Sequence, residues 1–341
     1  MKEPLELSVR IDAFKNLGLH LLNLTEAEKE PLYSGAINQN NWFTKNNIDS
    51  ALEAIGMMLN ENDLDSWIAS YDFRNVSNKE IGLVMAGNIP LVGFHDLLCV
   101  LISGNTANIK LSSQDELLMK YIIKQLTIIN PSISDFIKIS ERLNETDAVI
   151  ATGSDNTARY FKHYFGKKPH IIRQNRTSIA VINGEESAAD IHDLGGDIFQ
   201  YYGLGCRNVS KIYVPENFDH VKFIDALMPF EAAIEHHKFR NNYDYNKSIY
   251  LVNREPHFDS GFFLMRESSD LVSPISVIFY EKYDNEAELN LKISANQDKI
   301  QAIVSKEGWY EGSIPFGTAQ CPTLEDYADG VDSMEFLIGL N

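Results

Sequence analysis

From about residue 80 the chain alternates short, β-rich apolar runs with helical segments, and this alternation leaves few folds open. "IGLVMAG" reads as a buried strand, "FHDLLCVLIS" as a helix closed by Gly104, and "NTANIKLS" as the approach to the next strand. "DELLMKYIIKQL", "DAVIAT" and "DNTARYFKHYF" continue as helix, strand and helix. Strands joined through helices run parallel and carry helices on both faces, so the pattern predicts a doubly wound α/β domain. A second series follows, with "SAADIHDLGGDIFQYYG" and "FDHVKFIDALMPFEAAIEHHK" as helices. "SKIYVP", "GFFLMRES", "ISVIFYEKY" and "IQAIVS" are its strands, and "INGEES" near residue 185 is the expected boundary. Before residue 80, "LSVRIDAFKNLGLHLLNL" and "NIDSALEAIGMMLNENDLDSWIASY" space apolar residues by three and four, which predicts a helical cover. The expected domains are therefore 1–80, a helical region; 81–185, a nucleotide-binding domain; and 186–312, a second α/β domain. Residues 313–341 are expected to return to the first domain or to meet another subunit.

At 341 residues and 44% hydrophobic, the chain can bury two cores of ordinary size. Its 30 basic and 48 acidic residues give a net charge of −18, which repels phosphate backbones and argues against a nucleic-acid partner. An anionic substrate or cofactor must be held by a few local cations and backbone N–H groups. No apolar run reaches the length that spans a bilayer, and "MKEPLELSVRIDAF" has acidic residues where a signal peptide is apolar, so a cytoplasmic protein is expected. The three cysteines, Cys99, Cys206 and Cys321, form no CxxC pair, and no HExxH occurs. This fits a reducing compartment with neither disulfide framework nor bound metal.

Two Gly-containing βα turns, "MAGNIPLVGF" and "ATGSDNTARYF", offer helix N-termini to an anion, although such turns also close ordinary α/β units. Cys206, in "YYGLGCRNVSKIYVP", lies between a helix and a strand. Gly203 and Gly205 let the backbone approach a ligand, and Arg207 beside the thiol favours a thiolate. The competing reading is a small residue fitted to a tight turn. Cys99, within "LLCVLI", reads as core, and neither His95 nor His192 has a spacing that marks a base.

Taken in order, "AGNIP", "SGNTANIKLSS", "ATGSDNTAR", "YYGLGCRNVSKIYVP" and "SPISVIFYEKYDN" resemble the successive motifs of the aldehyde dehydrogenase superfamily, over residues 80 to about 340. The resemblance is to its acyl-CoA reductase branch, the LuxC-like fatty-acyl reductases. It implies an aldehyde dehydrogenase-like α/β fold with two doubly wound domains and an N-terminal helical region. It also implies Cys206 as nucleophile, with Asn88 of "GNIP" and the Cys206 N–H holding an oxyanion. Asn88 reads equally as a cap of the next helix.

The resemblance further implies Lys110 on the adenosine ribose, and Thr152, Gly153 and Ser154 facing the cofactor pyrophosphate and nicotinamide. Asp270 takes the place of a glutamate on the nicotinamide ribose. Where many NAD-preferring members carry a ribose-binding glutamate, this chain has Ser113, so NADPH is expected, with NADH as the alternative. Hydrolytic members carry a Glu-Leu-Gly-Gly-Lys run whose glutamate activates water. Here Arg173, Gln174, Asn175 and Arg176 stand in its place, which protects a thioester and offers cations to coenzyme A phosphates. The implied activity is reduction of an acyl thioester, from acyl-CoA or an acylated protein, to an aldehyde. A cysteine acyltransferase or thioesterase and a noncatalytic scaffold are the alternatives, and a homo-oligomer is the default assembly.

Overall fold

The computed structural model describes residues 4–74 and 76–340. The chain forms two compact units. The first runs from the N-terminal helices to Asn175 and is rejoined by the chain from Pro322; the second is Arg176–Cys321.

The first unit begins with four helices, α1 (Leu7–Leu22), α2 (Glu26–Gln39), α3 (Lys45–Met58) and α4 (Glu61–Ala69). Thr25 and Glu28 cap α2 reciprocally, and the Asn60 side chain accepts the Asp63 N–H to start α4. That cap splits the single run read from the sequence into α3 and α4. Phe14, Leu17 and Leu21 of α1 are buried with Ile48, Leu52 and Ile55 of α3 in a core that continues beneath the sheet. Gly18 permits this crossing, since a Cβ there would lie 2.7 Å from that of Leu59.

Five parallel strands follow: β1 (Glu80–Val84), β2 (Thr106–Lys110), β3 (Ile137–Ile139), β4 (Ala148–Thr152) and β5 (His170–Arg173). They are joined in part by α5 (Phe94–Ile102), α6 (Glu116–Ile129) and α7 (Asp155–Phe165). Their order is β3-β2-β1-β4-β5, with Leu83 of β1 opposite both Ile109 and Ile150. The winding reverses between β1 and β4, and ligands of such sheets bind beyond the carboxyl ends of the strands there. α5 is apolar on nearly every side because it is buried on nearly every side; Cys99 within it is a core residue whose thiol burial pushes well up. Residues 140–147 carry the chain from β3 to β4 without a helix.

The second unit contains β6 (Thr177–Val181), α8 (Ala188–Phe199), β7 (Val209–Pro215), α9 (His220–Leu227), α10 (His237–Asn253) and β8 (Phe258–Asp259). It continues with β9 (Leu264–Glu267), β10 (Val277–Tyr283), α11 (Glu286–Ser294), β11 (Ile300–Ser305) and β12 (Ile314–Pro315). Its sheet runs β12-β11-β6-β7-β10-β9-β8, parallel except for β8 at the edge. Ile179, Val181 and Tyr213 pack with Leu289 and Ile293 of α11, while Leu264, Val277 and Phe279 pack with Tyr243 and Tyr250 of α10.

Three boundaries differ from the sequence reading. The units part at Asn175/Arg176 instead of residue 185, because β6 pairs with β7 and β11 of the second sheet. The return begins at Pro322, later than residue 313, because β12 still pairs with β11. Beyond it Tyr327 accepts the Trp67 indole N–H at 2.8 Å, and α12 (Ser333–Ile338) packs on α5. Finally, the helix expected from residue 218 onward ends at Leu227, where Pro229 cannot donate to the ladder, and restarts as α10. Among the described residues no helix is long and apolar enough to cross a membrane, and no cluster of His, Cys, Asp and Glu could hold a metal ion.

Candidate active site

Cys206 sits in the turn that leads from α8 into β7. On the way the backbone is left-handed at Tyr201 (φ 54°), Tyr202 (φ 59°), Gly203 (φ 79°) and Gly205 (φ 95°). The two glycines adopt this freely, whereas each tyrosine costs roughly 1–2 kcal/mol, so the surroundings must impose the path. Tyr201 is buried, and the Tyr202 ring stacks on His236 at 4.2 Å between centroids. The Ser178 hydroxyl of β6 donates to the Cys206 carbonyl at 3.1 Å. The turn is thus held by its backbone and neighbours, and it presents a half-buried thiol.

Arg207 donates to the Ala319 carbonyl at 3.4 Å, tying the turn to the loop after β12. Asp197, buried in α8, clamps that loop by accepting the Gly317 and Ala319 N–H groups at 2.7 and 3.0 Å. Burial pushes the Asp197 carboxyl up to about 7, against those two donors. Just downstream of Cys206, the Ser210 hydroxyl donates to the Leu271 carbonyl and the Lys211 ammonium to that of Ser269. These bonds grip both sides of Asp270, which is exposed, so one strand start positions both Cys206 and Asp270. Lys211 is itself buried and paired with Glu281. The sequence signal for Asp197 and Lys211 was an ionic residue on an apolar helix face and one within an apolar strand.

In the first unit, Asn88 is exposed in the turn after β1 and does not cap α5, whose N-cap is Gly93 with no side-chain bond. The capping reading is thereby excluded. Asn40 donates to the Gly87 carbonyl at 3.2 Å, and Asp115 accepts the Leu91 N–H at 2.8 Å, where Leu91 is left-handed (φ 58°). Gly87 is required because a Cβ would lie 2.4 Å from the Ser112 hydroxyl oxygen. The Asn88 turn therefore rests on the segment that also carries Ser113, which is exposed.

Lys110 is exposed at the carboxyl end of β2, Thr152 and Gly153 are half-buried at the end of β4, and Ser154 caps α7 by accepting the Thr157 N–H. Val84, Lys110, Arg142, Tyr160, Tyr164 and Lys168 are among the residues lining a cleft of about 530 Å³. This volume suits a small-molecule site, and the cleft opens at the end of β1, beside the reversal of strand order. Its position and its cations fit the adenosine half of a dinucleotide.

Arg173 is a correction. The residue is 4% exposed, and its guanidinium grips the Asp96 carboxylate at 2.6 and 2.7 Å and donates to Ser333. It joins β5 to α5 and α12 and is not offered to a phosphate. Arg176 donates to the Ile300 carbonyl, while Gln174 and Asn175 are exposed. His95 bonds the Leu324 carbonyl, as a satisfied structural histidine does.

A family model for acyl-CoA reductase (LuxC) matches residues 21–228, which include every proposed site residue except Asp270. The chain belongs to the LuxC acyl-CoA reductase family. It is accordingly an oxidoreductase, and acyl-CoA reductases act on acyl thioesters. Solved structures agree in fold. Aldehyde dehydrogenase 21 from Physcomitrella patens, in complex with succinate, is 11% identical with a TM-score of 0.69; 98% of this chain and 84% of that one are covered. An NAD+ complex of an aldehyde dehydrogenase from Bacillus cereus is 15% identical, with a TM-score of 0.61 and coverage of 88% and 72%. A variant of aldehyde dehydrogenase C from Pseudomonas syringae, with NAD+ and octanal, is 12% identical, with a TM-score of 0.63 and coverage of 88% and 72%. No curated protein sequence matches.

The buried carboxylates of this reductase lead to a pH prediction. Asp115 is 1% exposed and burial pushes it up to about 8, only partly offset by the Leu91 N–H. A carboxyl raised in the folded state contributes stability that is complete below its unfolded value of about 4 and is lost as pH rises through the folded value. The first unit should therefore lose stability progressively between about pH 4 and 8 and level off above that. Asp115→Asn, which stays neutral, should flatten that fall by on the order of a few kcal/mol at pH 9. Thermal unfolding of both proteins across this range is the test; parallel profiles would show that Asp115 is not the titrating group.

Proposed function

We propose that this protein reduces a fatty acyl thioester to an aldehyde with NAD(P)H, through an acyl group carried on Cys206. The observation that carries the reading is the Cys206 turn, a costly left-handed path held by Ser178, Tyr201 and Tyr202 that presents a half-buried thiol at the head of a central strand. The Cys206 thiolate attacks the thioester carbonyl, the Cys206 N–H takes the oxyanion, and the donor thiol leaves. The reduced nicotinamide, when bound, supplies hydride to the acyl carbon. Release of the aldehyde then returns Cys206 as thiolate.

Two features favour reduction over hydrolysis. The segment that carries an activating glutamate in hydrolytic relatives here has Arg173 committed to Asp96, and no carboxylate from Arg173 to Arg176. Lys110 lines a cleft of a size that admits a nucleotide, and Asp270 is held by the same strand start as Cys206. Ser113 places no carboxylate against a 2′-phosphate, which favours NADPH. Acyl-CoA is the proposed donor and an acylated protein the alternative.

The test is intact mass after mixing the protein with acyl-CoAs of graded chain length, without reductant and then with NADPH or NADH. An acyl adduct that disappears on adding reduced cofactor, with release of aldehyde, is the expected result. An adduct indifferent to both cofactors would replace this reading with acyl transfer.

A further inference from the structure

The chain carries −18 overall, yet the 530 Å³ cleft at the end of β1 and β2 is lined by Lys110, Arg142 and Lys168 against a single carboxylate, Glu141. A positive recess on an acidic surface focuses the field that draws in an anion. The three cations differ in what they are free to do. Lys168 donates to the Asn144 and Thr146 carbonyls, so it fastens the helix-less 140–147 crossover to the end of α7. Lys110 and Arg142 are exposed, and neither has a carboxylate partner among the described residues. Across the cleft, Tyr160 and Tyr164 are 66% and 73% exposed although both line it. They lie one helical turn apart on α7 and offer apolar ring surface to a planar group.

Aromatic surface beside an unpaired guanidinium suits a purine nucleoside that carries an extra phosphate. We propose that this cleft binds an adenosine whose ribose is phosphorylated, and that Arg142 is the residue that reads that phosphate. A guanidinium binds phosphate through two parallel N–H donors and distinguishes it from a hydroxyl more sharply than an ammonium does. Arg142 stands on the β3–β4 crossover and Ser113 on the segment after β2, so selectivity arises from an added cation as well as from a missing carboxylate. The inference rests on the reductase reading, which supplies two sources of this chemistry: the 2′-phosphate of NADPH and the 3′-phosphate of coenzyme A.

Calorimetric titration of the full chain with ADP, adenosine 2′,5′-bisphosphate and adenosine 3′,5′-bisphosphate tests it, with Arg142→Gln and Glu141→Gln. One bisphosphate should bind at least tenfold more tightly than ADP. Arg142→Gln should remove that advantage while leaving ADP within about twofold, and Glu141→Gln should increase it. Preference for the 2′ isomer assigns the cleft to NADPH, and preference for the 3′ isomer assigns it to the acyl donor; both support the inference. Equal affinity for all three ligands, an equal loss for all three in Arg142→Gln, or no binding at millimolar ligand overturns it. The reductase reading fails separately, if Cys206 takes no acyl group or keeps it when either reduced cofactor is added.

Discussion

Cys206→Ala is expected to abolish the acyl adduct and to lower thioester reduction by roughly 10⁴-fold or more, as loss of a nucleophile does when the remaining site cannot substitute for it. Its fold should be unaffected. The Ser178 hydroxyl bonds the Cys206 carbonyl and the Tyr202 ring stacks on His236, so truncation at Cys206 leaves both of these in place. Binding of the adenosine bisphosphates, which involves only the first unit, should be unchanged, and this separates a lost nucleophile from a damaged protein. The other thiols give the control. Cys99 is buried with its thiol pushed well up and should not react, whereas Cys321 is exposed and can take an adventitious acyl group. Cys321→Ala should therefore retain NAD(P)H-discharged acylation. An adduct that survives Cys206→Ala, is lost in Cys321→Ala and is still discharged by reduced cofactor would move the nucleophile to Cys321.

What could be read in advance followed local chemistry. The strands "IGLVMAG", "DAVIAT" and "SKIYVP" are short apolar runs that a two-sided parallel sheet requires, and the helices between them carry their own spacing. The Cys206 turn announced itself through Gly203 and Gly205, both left-handed in the structure. Failures occurred where the deciding interaction was distant in sequence. β6 belongs to the second sheet because of partners in β7 and β11, which no local pattern reveals, and the boundary was placed too late. α10 has polar residues scattered through "HKFRNNYDYNKSIYLVN", and its register is set by burial of Tyr243 and Tyr250 against β9 and β10. The floor of the Asn88 turn is invisible in the sequence, since Asn40 ends α2 and Asp115 precedes α6, far apart along the chain. Arg173 differs for the same reason: in the sequence it reads as a cation beside Arg176, and only Asp96 and Ser333, distant along the chain, show it to be structural.

That correction carries the second large effect. Arg173→Met should destabilise the first unit by about 3–5 kcal/mol, because Asp96, whose side chain is 13% exposed, would be left ionised without its partner. Against a total stability of roughly 5–15 kcal/mol, the loss should appear as a clear fall in the urea midpoint. Asp96→Leu alone strands the guanidinium and should cost a similar amount. The double variant replaces the pair with apolar side chains and should recover most of the loss, giving a large coupling energy in the cycle. Ser333 adds a hydrogen bond to the same guanidinium, so Ser333→Ala should act in the same direction with a smaller effect, about 1 kcal/mol. A coenzyme A-binding arginine predicts the reverse pattern: near-normal stability in Arg173→Met, a raised KM for acyl-CoA, and no rescue by Asp96→Leu. Unfolding and kinetics on the same four proteins therefore decide between a residue that fastens α12 to the sheet and one that meets substrate, and the bonds from Nη1 to both Asp96 oxygens and from Nη2 to Ser333 favour the first.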